Sequence, residues 1–154
     1  MNDLSSDINL VHSTTASAKD IAIQFFDRYR SQQVNDMVAL FASEGTVEYV
    51  PFNGQGLVTE VGVSSWNGLI DAFPDLTNQV TIVRQNETHR VAFVDVVISG
   101  TQVKDAFGIP NQGKHYDLRH LFVIEINDEG EILSMVAFWD NADWYRQLGK
   151  TKLD

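Results

Sequence analysis

The chain has 154 residues, of which 44% are hydrophobic and 21% are charged, an ordinary composition for a globular domain with one core. Twenty-one acidic residues against eleven basic ones give a formal net charge of −10, which should repel nucleic-acid phosphates and anionic lipid headgroups. The absence of cysteine excludes disulfides, thiolate nucleophiles and thiolate metal sites. We therefore expect neither nucleic acid nor membrane as a partner.

The amino-terminal segment, residues 1–16, is polar and rich in Ser and Thr, with no periodic apolar pattern. Such a segment buries little apolar surface, so we predict a flexible tail followed by one domain over 17–154. The first residues lack the basic and apolar parts of a secretory signal, and no stretch reaches the roughly 20 apolar residues of a membrane span. The prediction is a cytoplasmic protein.

The first regular element is a helix with an aromatic face. Ser17 followed three residues later by Asp20 is typical of a helix start. Ile21, Phe25 and Tyr29 then repeat at intervals of four, which places them on one side of a helix. This side is expected to pack on the core.

The following segments predict a change from helices to strands. Two short helices are expected over 37–41 and 66–73, and two hairpins then follow, with strands over 80–82 and 91–98, and over 118–126 and 132–139. Helices followed by antiparallel strands indicate an α+β domain, in which N-terminal helices cover a curved antiparallel sheet. The covered sheet forms a cone, and its open end is the expected ligand site. Asp140 is predicted to cap a last short helix.

Four blocks of the chain resemble the SnoaL-like polyketide cyclases of the nuclear transport factor 2-like superfamily: Gly100-Thr101-Gln102, Phe107-Gly108-Ile109-Pro110, Phe138-Trp139-Asp140 and Arg146-Gln147-Leu148-Gly149. This resemblance implies a cone-shaped, cystatin-like α+β fold and a small apolar ligand in the cone. It also implies a homodimer and acid–base cyclisation or isomerisation without a cofactor.

The strand over 118–126 supplies the first candidate catalytic residue. Alternation places His120 on the same face as Leu118 and Phe122, which is expected to point into the cone. A partly desolvated histidine there is a general acid or base, or else a core histidine satisfied by one hydrogen bond. Asp95 becomes the candidate base beside His120 if it points inward, and is an outer-face carboxylate otherwise.

The resemblance also shows where expected catalytic groups are missing. The family's acid–base aspartate, three residues before the aspartate that is here Asp140, falls on Ala137. In the ketosteroid isomerase branch, the base aspartate falls on Tyr49 and the oxyanion-hole tyrosine falls on Phe25. Tyr49 is then either a hydrogen-bond donor to a ligand carbonyl or a side chain packed at the rim.

Seven residues are expected to line the ligand pocket: Phe25, Trp66, Leu118, Phe122, Met135, Ala137 and Trp139. Leu133 is assigned to the same face as the last three by alternation along the strand over 132–139. The four histidines show no HxH or HExxH spacing, so no metal site is predicted.

The expected function is acid–base isomerisation or cyclisation of an apolar, carbonyl-bearing, polyketide-like substrate. The alternative is a binding or dimerisation module without catalysis, which lost the carboxylate at Ala137. An inward carboxylate within hydrogen-bond reach of His120 or Tyr49 would separate the two.

The opposite face of the strand over 118–126 suggests the dimer surface. Arg119, Leu121, Val123 and Glu125 alternate outward, and their half-apolar character indicates a covered face.

Overall fold

The structure is a computed structural model and describes residues 16–152. Its α-helices and strands, in chain order, are α1 (Ala18–Arg30), α2 (Val34–Val38), β1 (Phe41–Tyr49), β2 (Gly54–Leu57), α3 (Val63–Ala72), β3 (Thr77–Gln85), β4 (Val91–Thr101), β5 (His115–Ile126), β6 (Ile132–Trp139) and α4 (Asn141–Gln147). A 3₁₀ helix (Val50–Phe52) follows β1, and a π-helical turn (Val58–Gly62) leads into α3. The predicted tail over 1–16 lies outside the described residues, except for Ala16. No helix within 16–152 is long and apolar enough to cross a bilayer.

The strands form one six-stranded sheet in the order β2-β1-β6-β5-β4-β3. Neighbouring strands are antiparallel except β1 and β6, which run parallel. Irregularities in register interrupt the pairing of β1 with β6, β3 with β4 and β5 with β6, and such bulges bend a sheet. The predicted α+β class with a curved sheet is confirmed, with the difference that one strand pair is parallel.

Helix α1 begins where the sequence predicts it. The Ser17 hydroxyl accepts a hydrogen bond from the backbone N–H of Asp20 at 3.2 Å, and the Asp20 carboxylate accepts from the N–H of Ser17 at 3.4 Å. This reciprocal capping box satisfies two of the free donors at the helix start. The side chains of Ile21, Phe25 and Tyr29 are buried, so the predicted aromatic face packs on the core.

The second helix lies three residues earlier in the chain than predicted, over Val34–Val38 instead of 37–41. It ends at Val38, and Phe41 opens β1 instead of closing the helix. Phe41 pairs with Ile132 of β6, whose N–H also donates to the carbonyl of Leu40 at 2.9 Å. Because a buried apolar residue fits a helix or a strand equally well, pairing with a distant strand decides its conformation.

The placement of Leu133 on the inner face of β6 is wrong. Ile132 pairs with Ile126 and Ser134 pairs with Glu125, so Leu133 is an extra residue without a partner in the ladder. A bulge of this kind shifts the alternation by one residue, and the Leu133 side chain is 40% exposed. Beyond the bulge, Met135 and Ala137 return to the buried face.

Helix α4 closes one end of the fold, and Asp140 caps it as predicted. The Asp140 carboxylate accepts a hydrogen bond from the N–H of Asp143 at 3.1 Å. Trp144 and Leu148 are buried, so this short helix packs its apolar side on the rest of the chain. The indole of Trp144 also lines the cavity between the sheet and the helices.

Candidate functional site

An aromatic cavity lies between the inner face of β4–β6 and the helices. Of the fourteen residues that line it, nine are Phe, Tyr or Trp. Tyr29 comes from α1, Trp66 from α3 and Trp144 from α4, while Leu118 and Phe122 come from β5. Its volume is about 70 Å³. Such an apolar concavity with a few polar groups is the usual form of a small-molecule site.

The cavity continues into an open groove. Tyr49, Phe52, Ser65 and Phe107 line both spaces and therefore form the boundary between them. The rings of Phe52 and Phe107 are parallel, with centroids 6.3 Å apart. Charged residues appear only in the groove, where Glu60, Asp71, Lys104 and Asp105 contribute to the lining. The site thus has an apolar interior and a polar rim.

His120 is the titratable histidine of the cavity wall. Its Nδ1 lies 2.9 Å from the carbonyl oxygen of Leu118, and because a carbonyl can only accept, Nδ1 carries the proton. Nε2 has no hydrogen-bond partner among the described residues and is therefore a free acceptor. Burial lowers the pKa of His120 to about 4, against the opposing effect of the Leu118 hydrogen bond. At neutral pH the ring is uncharged.

Tyr49 forms a hydrogen-bonded pair with Ser65 at the boundary of cavity and groove. The two hydroxyl oxygens are 2.7 Å apart, and Ser65 Oγ donates to the carbonyl of Gly62 at 3.0 Å. With the serine proton engaged there, the phenol donates to Ser65. Burial raises the pKa of Tyr49, and the hydrogen bond with Ser65 opposes this shift. The phenol therefore stays protonated. It can donate or accept a hydrogen bond but cannot act as a base at neutral pH.

Six of the predicted site residues meet at this cavity: Tyr49, Trp66, Leu118, His120, Phe122 and Trp139. The His120 ring lies between those of Phe122 and Trp139, with centroid distances of 5.8 and 5.2 Å.

Three predicted pocket residues do not line the cavity, and this part of the prediction is corrected. Phe25 is fully buried behind Trp66, with ring centroids 5.6 Å apart. Met135 and Ala137 are each 1% exposed and belong to the packed core. Ala137 is paired across the sheet with Tyr49 and Phe122, and it is these larger side chains that line the cavity.

Asp95 does not point into the cone, so its assignment as a catalytic base is wrong. It alternates with the buried Val94 and Val96, which places its side chain on the outer face of β4. There Arg119 holds both carboxylate oxygens, with Nε 2.9 Å from Oδ1 and the guanidinium NH2 group 2.5 Å from Oδ2. These hydrogen bonds lower the pKa of Asp95 below its ordinary value. An ionised, paired carboxylate on the other side of the sheet cannot assist His120.

Several lining residues were not predicted. Tyr29 lies one helical turn after Phe25 on the aromatic face of α1, and Tyr116 precedes Leu118 by two residues on β5. Tyr29 belongs to the predicted aromatic face but was assigned to the core, and Tyr116 could have been found by extending the alternation of β5 by one step. Phe52 ends a short 3₁₀ helix (Val50–Phe52) between β1 and β2, and Phe107 lies in the loop between β4 and β5. The approach of these two segments depends on the completed fold and has no local signal.

The sequence model of a family described as SnoaL-like polyketide cyclase matches residues 20–148. The chain belongs to this family. No curated protein matches it.

Solved structures of SnoaL-like proteins share its fold at low sequence identity. A candidate polyketide cyclase from Pseudomonas putida is 14% identical, with a TM-score of 0.76, 87% of this chain covered and 99% of the other. A candidate SnoaL-like cyclase from Jannaschia is 16% identical, with a TM-score of 0.76 and coverages of 88% and 92%. IdmH, a candidate polyketide cyclase from Streptomyces antibioticus, is 20% identical, with a TM-score of 0.70 and coverages of 87% and 99%.

Within this SnoaL-like fold, the cavity of the present chain is formed without a carboxylate. None of the described residues that line it is Asp or Glu, and Ala137 occupies the position where the family resemblance implies the aspartate. Glu60, Asp71 and Asp105 lie in the groove and form no hydrogen bond with Tyr49 or His120. Within residues 16–152, no three His, Asp or Glu side chains are grouped as a metal site would require.

Proposed function

We propose that the protein binds a small, largely apolar ketone in the cone and acts on it as an acid–base isomerase or cyclase. His120 Nε2 would accept a proton from the carbon next to the carbonyl. Tyr49 would donate a hydrogen bond to the carbonyl oxygen. The observation that carries this proposal is a neutral imidazole with a fixed Nδ1–H and a free Nε2, in a cavity that also presents phenol donors.

A neutral base suits a cavity without counter-charges. Transfer of a proton from a neutral ketone to neutral His120 creates an imidazolium and an enolate together, so the cavity keeps zero net charge. Attraction between these two ions is strong where water is excluded. The low pKa of His120 in the empty site makes it a weak base, which favours carbon acids activated by conjugation or by a second carbonyl.

Tyr49 supplies the group that stabilises the developing enolate. Its raised pKa keeps the proton on the phenol, and a preorganised donor aimed at the oxygen that gains charge is a large catalytic effect in acyl and enolate chemistry. Ser65 is the natural relay, because it can turn from Gly62 toward Tyr49 and free the phenol proton for a ligand.

The size of the cavity implies that its mouth moves when a ring enters. A volume of 70 Å³ is about half of the roughly 150 Å³ that holds benzene in an apolar protein cavity. Phe52 is 39% exposed and stacks on Phe107 at the boundary, so displacement of these two rings would join the cavity to the groove. The ligand would then lie partly in each.

The proposal is tested with 2-tetralone, an apolar bicyclic ketone of moderate carbon acidity. We expect the protein to accelerate exchange of its α-protons in D₂O, followed by proton NMR. Replacement His120→Gln should lower the enzymatic rate at least about 100-fold, the usual contribution of a general base. Tyr49→Phe should lower it about 100- to 1,000-fold, as loss of an oxyanion donor does.

Matched variants control for indirect effects. His115→Gln removes an exposed histidine from the same strand, and Tyr145→Phe removes a phenol of α4 that does not line the cavity. Both should exchange 2-tetralone at the parent rate. The kcat/KM of the parent should be flat between pH 6 and 8, because His120 is deprotonated above its pKa of about 4. Equal loss in the control variants, or parent-like exchange by His120→Gln, would contradict the assignment.

A second candidate function is ligand binding without turnover. The observation that favours it is the absence of a carboxylate among the described residues that line the cavity. Binding of 2-tetralone measured by calorimetry, without acceleration of its exchange, would support this candidate and exclude the first.

A further inference from the structure

The inner part of the cavity carries two phenols with no hydrogen-bond partner. Tyr29 and Tyr116 line the cavity but not the groove, so they lie deeper than Tyr49. They are 4% and 2% exposed, and neither hydroxyl bonds to any described residue. Unpaired polar groups at this depth are uncommon in folded proteins, because leaving them unpaired costs free energy.

Both phenols line the cavity and are kept protonated there by burial. Burial is the main cause that raises the pKa of Tyr29, followed by the charge effect of Tyr116 and then that of Tyr49. The pKa of Tyr116 is likewise raised, first by burial and then by the negative charge of Asp75. Tyr29 and Tyr116 are therefore neutral donors that line the same cavity, whereas Tyr49 has its own partner in Ser65.

The surrounding wall offers donors but few acceptors. Trp144, whose ring centroid lies 5.7 Å from that of Tyr116, has a buried Nε1–H without a partner among the described residues. The remaining inner surface is apolar or aromatic, and no acidic side chain lines it. A wall with spare donors is complementary to an oxygen that carries lone pairs or negative charge.

We propose that Tyr29 and Tyr116 form a second oxygen-binding subsite, so that the ligand carries two oxygen functions, one held at Tyr49 and one at this inner phenol pair. The inner oxygen is a carbonyl, enolate or phenolate oxygen, since each accepts two hydrogen bonds. This inference rests on the proposed function, because it requires the ligand to occupy the cone. It narrows the substrate class from apolar ketones to apolar compounds oxygenated at both ends.

Two bicyclic probes of similar size separate the subsites. 2-Tetralone has one oxygen, and 1,4-naphthoquinone has two on opposite positions of its ring; a chain without cysteine has no thiol to add to the quinone. Affinities are measured by calorimetry for the parent, Tyr29→Phe, Tyr116→Phe and Tyr49→Phe. Tyr145→Phe serves as the control for loss of a phenol outside the cavity.

We expect Tyr29→Phe and Tyr116→Phe each to weaken quinone binding about tenfold, and to change tetralone binding less than about twofold. Tyr49→Phe should weaken both ligands. Without ligand, Tyr29→Phe and Tyr116→Phe should melt no lower than the parent, because the lost hydroxyls have no partner in the free protein. A merely structural role would instead lower the melting temperature and leave the affinity ratio of the two probes unchanged.

Three results would overturn the second subsite. Quinone affinities within twofold of the parent in both variants, with tetralone still bound and exchanged, would refute the subsite and leave the proposed function standing. If the affinity for 2-tetralone falls in Tyr29→Phe and Tyr116→Phe but not in Tyr49→Phe, the cavity has a single oxygen site, at the inner phenols. Failure of the parent to bind either probe would refute the subsite and the proposed function together, with the phenols then hydrated by water alone.

Discussion

The two faces of the strands β4–β6 carry different kinds of polar side chain, ionised on the outer face and neutral on the inner face. On the outer face, Asp95 and Arg119 are fully ionised and paired with each other beside solvent. On the inner face, His120, Tyr49 and Tyr116 are neutral and held by single hydrogen bonds or by none. Because desolvating an ion is far more costly than desolvating a phenol or imidazole, the cone can be polar only without charge.

This difference explains why the polar groups available to a ligand in the cavity are neutral: the phenols as hydrogen-bond donors and His120 Nε2 as an acceptor. The carboxylate that alternation allowed to face His120 lies instead on the solvated side, where Arg119 is 79% exposed and the pair is screened by water. The proposed proton transfer would therefore create and neutralise charge within the bound complex itself.

The largest effect on stability is expected from Ala137→Asp, which places an ionisable carboxyl on the uncharged inner face. Ala137 is 1% exposed and lies in core, flanked on neighbouring strands by Tyr49 and Phe122. We expect a loss of about 3–5 kcal/mol in the free energy of unfolding at pH 8, as for an uncompensated buried charge. Urea denaturation at pH 8 and pH 5 measures it.

The sign of the pH effect follows from the raised pKa that burial gives the new carboxyl. Above the unfolded-state pKa of about 4, the unfolded chain ionises first, so destabilisation grows as the pH rises toward the folded-state pKa. The variant should therefore lose less stability at pH 5 than at pH 8. Ala137→Asn introduces a side chain of the same shape as Asp but without a charge. It should lose the same amount of unfolding free energy at pH 5 and at pH 8. Equal losses for Ala137→Asp at the two pH values would mean that position 137 is hydrated.

A smaller loss of unfolding free energy is expected when acid protonates the buried imidazole of His120. Its folded pKa of about 4 lies below the unfolded value of about 6.5, so the unfolded chain binds the proton first as the pH falls. Stability from this residue is complete above pH 6.5 and decreases by about 3 kcal/mol on reaching pH 4. The comparison is the pH dependence of urea denaturation for the parent and His120→Gln.

The Gln variant should lack this part of the acid destabilisation, and His115→Gln, which alters an exposed histidine, should keep it. Parallel curves for the parent and His120→Gln between pH 6.5 and 4 would show that His120 is hydrated in the folded protein.

Local periodicity predicted the elements whose conformation is decided locally. The capping box at Ser17, the cap at Asp140 and the alternation through Leu118 and His120 all appear in the structure, because each depends on residues within a few positions. The strand at Phe41 could not be recognised in this way. Its pairing with Ile132 lies far away in the chain, and buried apolar residues look alike in helices and strands.

The candidate site was predictable in part for the same reason. The bulge at Leu133 interrupts the alternation of β6, and no residue type at that position indicates a bulge. Asp95 could have been assigned to the outer face from Val94 and Val96, since the alternation of β4 is regular. The boundary formed by Phe52 and Phe107 arises only when two connecting segments meet, so the sequence contains no local sign of it.

The smallest expected effect on stability, and the sharpest test of the outer face, concerns its apolar side chains. Ile82, Asp95, Leu121 and Phe138 are paired in one row across four strands, and Ile82, Leu121 and Phe138 are 40–44% exposed. Phe93, in the adjacent row, is 42% exposed. We propose that a second copy of the chain covers this face, because an apolar sheet face of this extent is typical of an isologous interface.

Light scattering at micromolar concentration should then give about twice the chain mass of 17.3 kDa. The double variant Leu121→Lys and Phe138→Lys should give the mass of one chain, since like charges would meet across the two-fold axis. The unfolding free energy of the isolated chain should change by less than about 1 kcal/mol, because both side chains are already half in solvent. Val103→Lys, an exposed apolar position outside the sheet, should leave the mass unchanged. A parent mass near 17.3 kDa would refute the dimer, and the outer face would then expose its apolar row to water in the free protein.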